Sequence, residues 1–273
     1  IQFTSSSVGN DAITSINGGD GLDIVKFAAG LDLSQNNLTI SNVEKLEFSG
    51  GSNSVKFKSD VLSQKTYELI ENGSGNLNLE GVPVSQIINL STLVFDESIA
   101  TGTDKVIVNG NSYTQALTIT GSSIDDEITG TYTSNDIISS GDGDDTIDGS
   151  DGNDTITPGN GSDQVTPGLG TDSINLSESY ASIDKLIYTF DDGTANVDTV
   201  TNFDLRVVKD VISLDVSELS TPITVGNGSN ALLTNTGNLV ITEHLLDTNL
   251  DLSSGTAETI IKLMQTDQSA FAE

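Results

Sequence analysis

Residues 131 to 175 divide into nines: TYTSNDIIS, SGDGDDTID, GSDGNDTIT, PGNGSDQVT and PGLGTDSIN. The sixth place is always aspartate (Asp136, Asp145, Asp154, Asp163, Asp172) and the eighth always aliphatic (Ile138, Ile147, Ile156, Val165, Ile174). Glycine holds the fourth place in all but the first unit, at Gly143, Gly152, Gly161 and Gly170. A solvated acidic linker has no reason to keep an aliphatic residue in phase with an acid. The phase divides each unit into a six-residue turn, where glycine reaches positive φ without a Cβ clash, and a three-residue strand whose middle side chain points away from its neighbours.

If two units make one coil, residues eighteen apart stack in adjacent rungs about 4.8 Å apart. Asp136, Asp154 and Asp172 then line one edge of the coil, and Asp145 and Asp163 the other. Bare carboxylates about 5 Å apart repel by roughly 3 kcal/mol per pair at an effective dielectric near 20, so a cation between turns is expected. Calcium takes about 6 to 8 hard oxygen ligands, and each turn offers a carboxylate and backbone carbonyls. The array has no His or Cys, which argues against zinc. One buried aliphatic side chain per unit is a small return for ordering the backbone, so the array is expected to fold as calcium binds.

Composition narrows the partners. Forty acids against ten Lys plus Arg give a formal charge of −30, which argues against nucleic acid and anionic membranes. Eight Phe, five Tyr and no Trp argue against a single large aromatic core, and the absence of Cys excludes disulfides and thiolate metal sites. No apolar run approaches the roughly 20 residues of a transmembrane helix. Ile1 does not open a charged-then-apolar signal peptide, and a chain that opens on Ile is expected to be part of a longer one.

Four regions follow. Residues 1–30 hold a short repeat pair, SSVGNDAIT and GGDGLDIVK. Residues 31–120 carry short alternating runs such as LTISNVEKLEF, NSVKFKSDVL and KVIVNG, which read as strands, either rungs of a solenoid or a β-sandwich. Residues 121–182 contain the array. Residues 183–273 return to strand-like text (KLIYTF, VDTVTNF, DVISLDV, NLVITEHLL), with a short helix expected at TAETIIKLM before a tail. The expected class is all-β.

GGDGLDIVK at 18–26 matches the nonapeptide GGxGxDxUx at every fixed position, and SGDGDDTID and GSDGNDTIT miss it by one glycine each. The chain thus resembles the repeats-in-toxin (RTX) family of secreted bacterial proteins. That resemblance implies a right-handed parallel β-roll, a β-helix or solenoid with calcium between turns, and export by a one-step (type I) system. Carried over, Asp11, Asp23, Asp136, Asp145, Asp154, Asp163 and Asp172 become side-chain ligands. Carbonyls at odd places of the turns complete the sites: Asp20, Ser140, Asp142, Asp144, Gly149, Asp151, Asn153, Pro158, Asn160, Ser162 and Thr171. Pro158 and Pro167 replace the first glycine, residues 131–134 lack glycines, and GSSIDDEIT at 121–129 is one residue out of register, so about three good sites are expected in the array.

A looser resemblance links NVEKLEFSGGSNSVKF and ALTITGSSIDDEITG to bacterial surface-layer proteins and large RTX adhesins. KLIYTFDDGTANVDTVTNF followed by KDVISLDV resembles segments that close RTX arrays, whose last rung needs a cap. The function these resemblances imply is a calcium-dependent structural piece of an exported cell-surface protein, a surface-layer lattice protein whose partners are calcium ions and other copies of itself. The alternatives are the C-terminal region of a type I secreted enzyme, or an adhesin module that binds a cell-surface glycan or ice.

Catalysis finds little support. His244 is the one His, too few for a zincin HExxH, and no G-x-S-x-G occurs. Arg206 is the only Arg and lies in the expected cap. Among forty acids, pairs such as Asp125/Asp126 and Asp191/Asp192 read as solvated turns or metal sites, with Asp191, Asp192 and Asp198 a further candidate calcium cluster. No membrane-active amphipathic region is visible. The seventh-place series Ile137, Thr146, Thr155, Gln164, Ser173 is too short and irregular to favour ice.

Overall fold

The computed structural model describes residues 15–28, 30–35, 37–49, 53–72, 77–96, 98–99, 103–189, 197–202 and 210–215, with the short strands Gln2–Phe3, Ala231–Leu233, Asn238–Ile241 and Asn249–Ser253. The expected helix at TAETIIKLM, and Asp11, Asp191, Asp192, Arg206 and His244, lie outside the described residues.

The chain is an all-β parallel solenoid. One 11-stranded sheet runs its length: Leu31–Asp32, Asn53–Lys58, Leu77–Val82, Lys105–Asn109, Asp126–Thr129, Thr146–Asp148, Gln164–Thr166, Lys185–Thr189 and Val211–Asp215 pair in parallel, in that order. A 7-stranded sheet faces it, through Ile87–Asn89, Thr118–Thr120, Ile137–Asp142, Thr155–Asn160, Ser173–Asn175 and Val197–Thr201. Residues 31–120 are therefore rungs of the same solenoid. The four-residue Ser59–Leu62 is the only helix among the described residues, and none there is long and apolar enough to cross a membrane.

Two kinds of coil share this stack. Upstream, each coil has three sides: Thr39–Ser41, Lys45–Ser49 and Asn53–Lys58 follow one another in three different sheets. The wider lumen takes aromatic rings. Phe27 and Phe48 stack with centroids 5.6 Å apart, and Phe57 meets Phe27 edge-on at 5.2 Å. Composition argued against one large aromatic core, and the rings form a local cluster in these coils.

In the array the third side is gone. A coil is two strands and two turns, and each strand buries one aliphatic residue. Ile119, Ile138, Ile156, Ile174 and Val200 stack in one file, while Ile128, Ile147, Val165 and Leu186 stack in the facing one. The C-terminal end is closed by the only antiparallel pairings among the described residues: Asn249–Ser253 lies along Val197–Thr201, Asn238–Ile241 along Val211–Asp215, and Ala231–Leu233 along Asn238–Ile241. These strands cover the backbone groups that a last parallel rung would expose.

Candidate metal centre

Each sixth-place aspartate stands directly before its strand, two residues ahead of the buried aliphatic residue. In a parallel ladder its amide and carbonyl both point toward the following coil. The carbonyl of Asp136 accepts from the Thr155 amide at 2.9 Å. Its amide meets a side chain, donating to Asp154 Oδ1 at 2.7 Å. The arrangement repeats from Asp154 to Asp172 at 2.7 Å and from Asp172 to Asp198 at 2.8 Å. On the other edge it runs from Asp126 to Asp145 (2.7 Å), Asp163 (2.8 Å), Asp184 (3.1 Å) and Asp210 (3.0 Å). All these acids are 6% exposed or less.

The second carboxylate oxygens separate the acids into two classes. Asp136 Oδ2 accepts from the Thr131 amide and hydroxyl at 2.6 and 2.9 Å, and Asp126 Oδ2 from the Ser122 amide at 2.7 Å. In contrast, Oδ2 of Asp145, Asp154, Asp163, Asp172 and Asp184 is buried without a hydrogen-bond partner. Burial is the main cause that pushes these carboxyls up from 3.8: Asp145 to about 9, Asp154 and Asp184 to about 8, Asp163 and Asp172 to about 7. Neighbouring carboxylates of the ladder add to the shift, as Asp126 does for Asp145. A buried, unpartnered carboxylate needs a proton or a cation.

The turns stack at backbone contact. A Cβ on Gly161 would lie 1.8 Å from Gly143 O, and one on Gly170 1.6 Å from Gly152 O. Both glycines have positive φ, 133° and 148°. Oxygens crowd the same space: a Cβ on Gly149 would meet Pro167 O at 2.2 Å and Asp154 Oδ2 at 2.8 Å. Unpartnered carboxylate oxygens beside closely packed turn carbonyls, with no nitrogen or sulfur donor, fit a hard divalent cation.

The fifth-place residues, expected to lend only carbonyls, also use their side chains. Asp144 Oδ1 accepts from the Ser162 amide and Asn153 Oδ1 from the Thr171 amide, both at 2.8 Å. Here the earlier coil accepts from the later, the reverse of the sixth-place ladder. Asp142 Oδ1 accepts from Asn160 Nδ2 at 2.6 Å, and Asp151 bridges to Leu169. The Pro158 carbonyl accepts from the buried Ser140 hydroxyl at 2.6 Å, while the Gly149 amide donates to Thr166 O at 2.9 Å. In the first repeat pair Asp20 is exposed in a bend, and the Asp23 amide donates to Glu44 Oε2 at 2.8 Å. Asp23 Oδ2 is again buried without a partner.

Sequence reasoning missed Asp184 and Asp210 as ladder members, and it placed Asp126 and Asp198 in other groupings. Their signal is the tripeptide of acid, any residue and aliphatic, as in DEI, DKL, DTV and DVI, without the glycine turn. Separations of 19, 21 and 26 residues between ladder partners hide them from a search by nines.

Residues 130–165 match the family model described as RTX calcium-binding nonapeptide repeat (4 copies). The match supports the RTX family, whose repeats imply calcium binding and typically belong to secreted proteins. No curated protein and no solved structure matches the chain.

Proposed function

We propose that the chain is a calcium-dependent structural and self-assembly segment of an exported bacterial cell-surface protein, of the kind that builds a surface-layer lattice. The observation that carries this reading is the row of buried Oδ2 atoms on Asp145, Asp154, Asp163, Asp172 and Asp184, each without a hydrogen-bond partner. Asp145 with Asp163, and Asp154 with Asp172, would hold the ions, together with carbonyls of the glycine turns. Bound calcium supplies positive charge where stacked carboxylates would otherwise repel.

The chain's own groups do the rest. Oδ1 of each ladder acid anchors the neighbouring coil's amide, the glycines let turns approach, and the aliphatic files keep water out between the sheets. The product is a stiff rod whose long faces are free to meet other copies, and the reading gives it no catalytic role. Purified chain should form sheets or lattices by negative-stain microscopy in millimolar calcium and disperse with excess chelator. A calcium-folded chain that stays monomeric at high concentration would count against self-assembly.

One observation favours a second reading, a glycan- or ice-binding adhesin module. The seventh- and ninth-place side chains alternate between two faces of the solenoid. On the face of the 7-stranded sheet they form paired files: Thr118, Ile137, Thr155, Ser173, Thr199 beside Thr120, Ser139, Thr157, Asn175, Thr201. This face is far more regular than the mixed series read from sequence. Retention on a glycan array, or enrichment in growing ice, would promote that reading.

A further inference from the structure

The long loop that follows the array folds back over the ladder. Residues 176–183 replace the six-residue turn: the Ser179 amide donates to Asn160 Oδ1 at 2.6 Å, tying the loop to the array, and within the loop Glu178 Oε2 accepts from the Ser182 amide and hydroxyl at 2.7 and 2.8 Å. This places one carboxylate oxygen each of Glu178, Asp184 and Asp210 within 4.8 Å of one another. That limit is about twice a calcium–oxygen distance of 2.3 to 2.6 Å, so the three oxygens are close enough to share one ion. Asp184 gives an independent sign of a ligand. It is 1% exposed, its Oδ1 accepts from the Asp163 amide, and its Oδ2 is buried with no partner.

We propose a calcium site formed by Glu178, Asp184 and Asp210, outside the nonapeptide array and without its glycine turn. Three carboxylates with no nitrogen or sulfur donor select a hard cation, and backbone carbonyls of the loop complete the 6 to 8 oxygens calcium takes. The site ties the loop to two successive rungs whose ladder acids are 26 residues apart, so calcium clamps the exit of the array as well as its turns. The identity of the ion rests on the calcium reading above, while the site rests on residues outside the matched repeats.

Calcium titration of the full 273-residue chain by calorimetry, wild type against Glu178→Gln, tests it. The expected result is the loss of one bound ion, or weakening of one binding class by at least about tenfold, with the other ions retained. Asp184→Asn is the second variant, since its amide oxygen still accepts from Asp163 and keeps the ladder. Terbium luminescence sensitised by Tyr180, 60% exposed and two residues from Glu178, should fall in both variants. Unchanged stoichiometry and affinity in both variants, beside a loss of ions in Asp145→Asn, would overturn this site and leave the array reading standing. A wild-type chain that takes up no calcium would overturn both.

Discussion

The coils before residue 110 and those after 126 are built on one sheet, yet they balance their acids by opposite means. Upstream, charge is cancelled on the outside. Lys26 pairs with Glu47, Lys45 with Glu68 and Lys56 with Glu80, each across adjacent coils at 2.6 to 2.7 Å, and Lys105 reaches across the border to Glu127. Their three-sided lumen holds Phe27, Phe48 and Phe57. In the array no Lys or Arg occurs between Lys105 and Lys185, the lumen takes one aliphatic residue per strand, and the acids point inward. On the calcium reading proposed above, the same topology yields a half that pairs surface acids with its own lysines and a half that draws counter-charge from bound ions. What separates them is where the counter-charge comes from.

The largest expected effect breaks that symmetry. With excess chelator near pH 8, hydrogen exchange should rise to near-unfolded rates at 137–175 while 45–82 stays protected; equal protection in both regions would remove the contrast. Packing changes come next. Gly161→Ala drives a Cβ to 1.8 Å from Gly143 O and should cost about 3 to 5 kcal/mol, lowering calcium affinity. Phe48→Ala should cost about 3 to 5 kcal/mol in the upstream coils, with calcium uptake by the array unchanged in titration.

Acidity sharpens the comparison further. The raised carboxyls bind more protons in the folded array than in the unfolded chain, so stability in chelator should be fully present below about pH 4 and lost as pH rises through about 7 to 9. Circular dichroism against pH, with and without calcium, reads this directly; a chelated array that gained structure on going from pH 5 to 9 would contradict it. The smallest effect is Ser150→Gly. Ser150 sits at φ 67° in the second place of its turn, where the neighbouring units have glycine, and relief of left-handed strain less glycine's entropy should stabilise by up to about 1 kcal/mol in thermal melts with calcium.

Much of the array was legible because two periods coincide: the strand's alternation by two and the unit's nine residues fix both aliphatic files and both acid edges. Legibility ended where loops lengthened. Asp184 and Asp210 keep the same place before a buried strand, but the loop at 176–183 and the wider 26-residue step remove the interval that marked the others. Residues 31–120 were ambiguous for another reason. A strand such as Asn53–Lys58 carries the same alternation in a sandwich as in a solenoid, and only its parallel partner Leu77–Val82 decides. The seventh-place series failed as a guide because consecutive units lie on opposite faces, so Thr146 and Thr155 never share a surface.

The sixth-place ladder also has a polarity. Every amide in it is received by the next coil toward the C-terminus, from Leu117 through to Asp172 on one edge and from Asp126 to Asp184 on the other. The two ends of this file therefore differ in kind: the N-terminal end presents carboxylate oxygens that accept, and the C-terminal end presents backbone amides that donate, so a second copy stacked end to end in the same sense would continue the ladder.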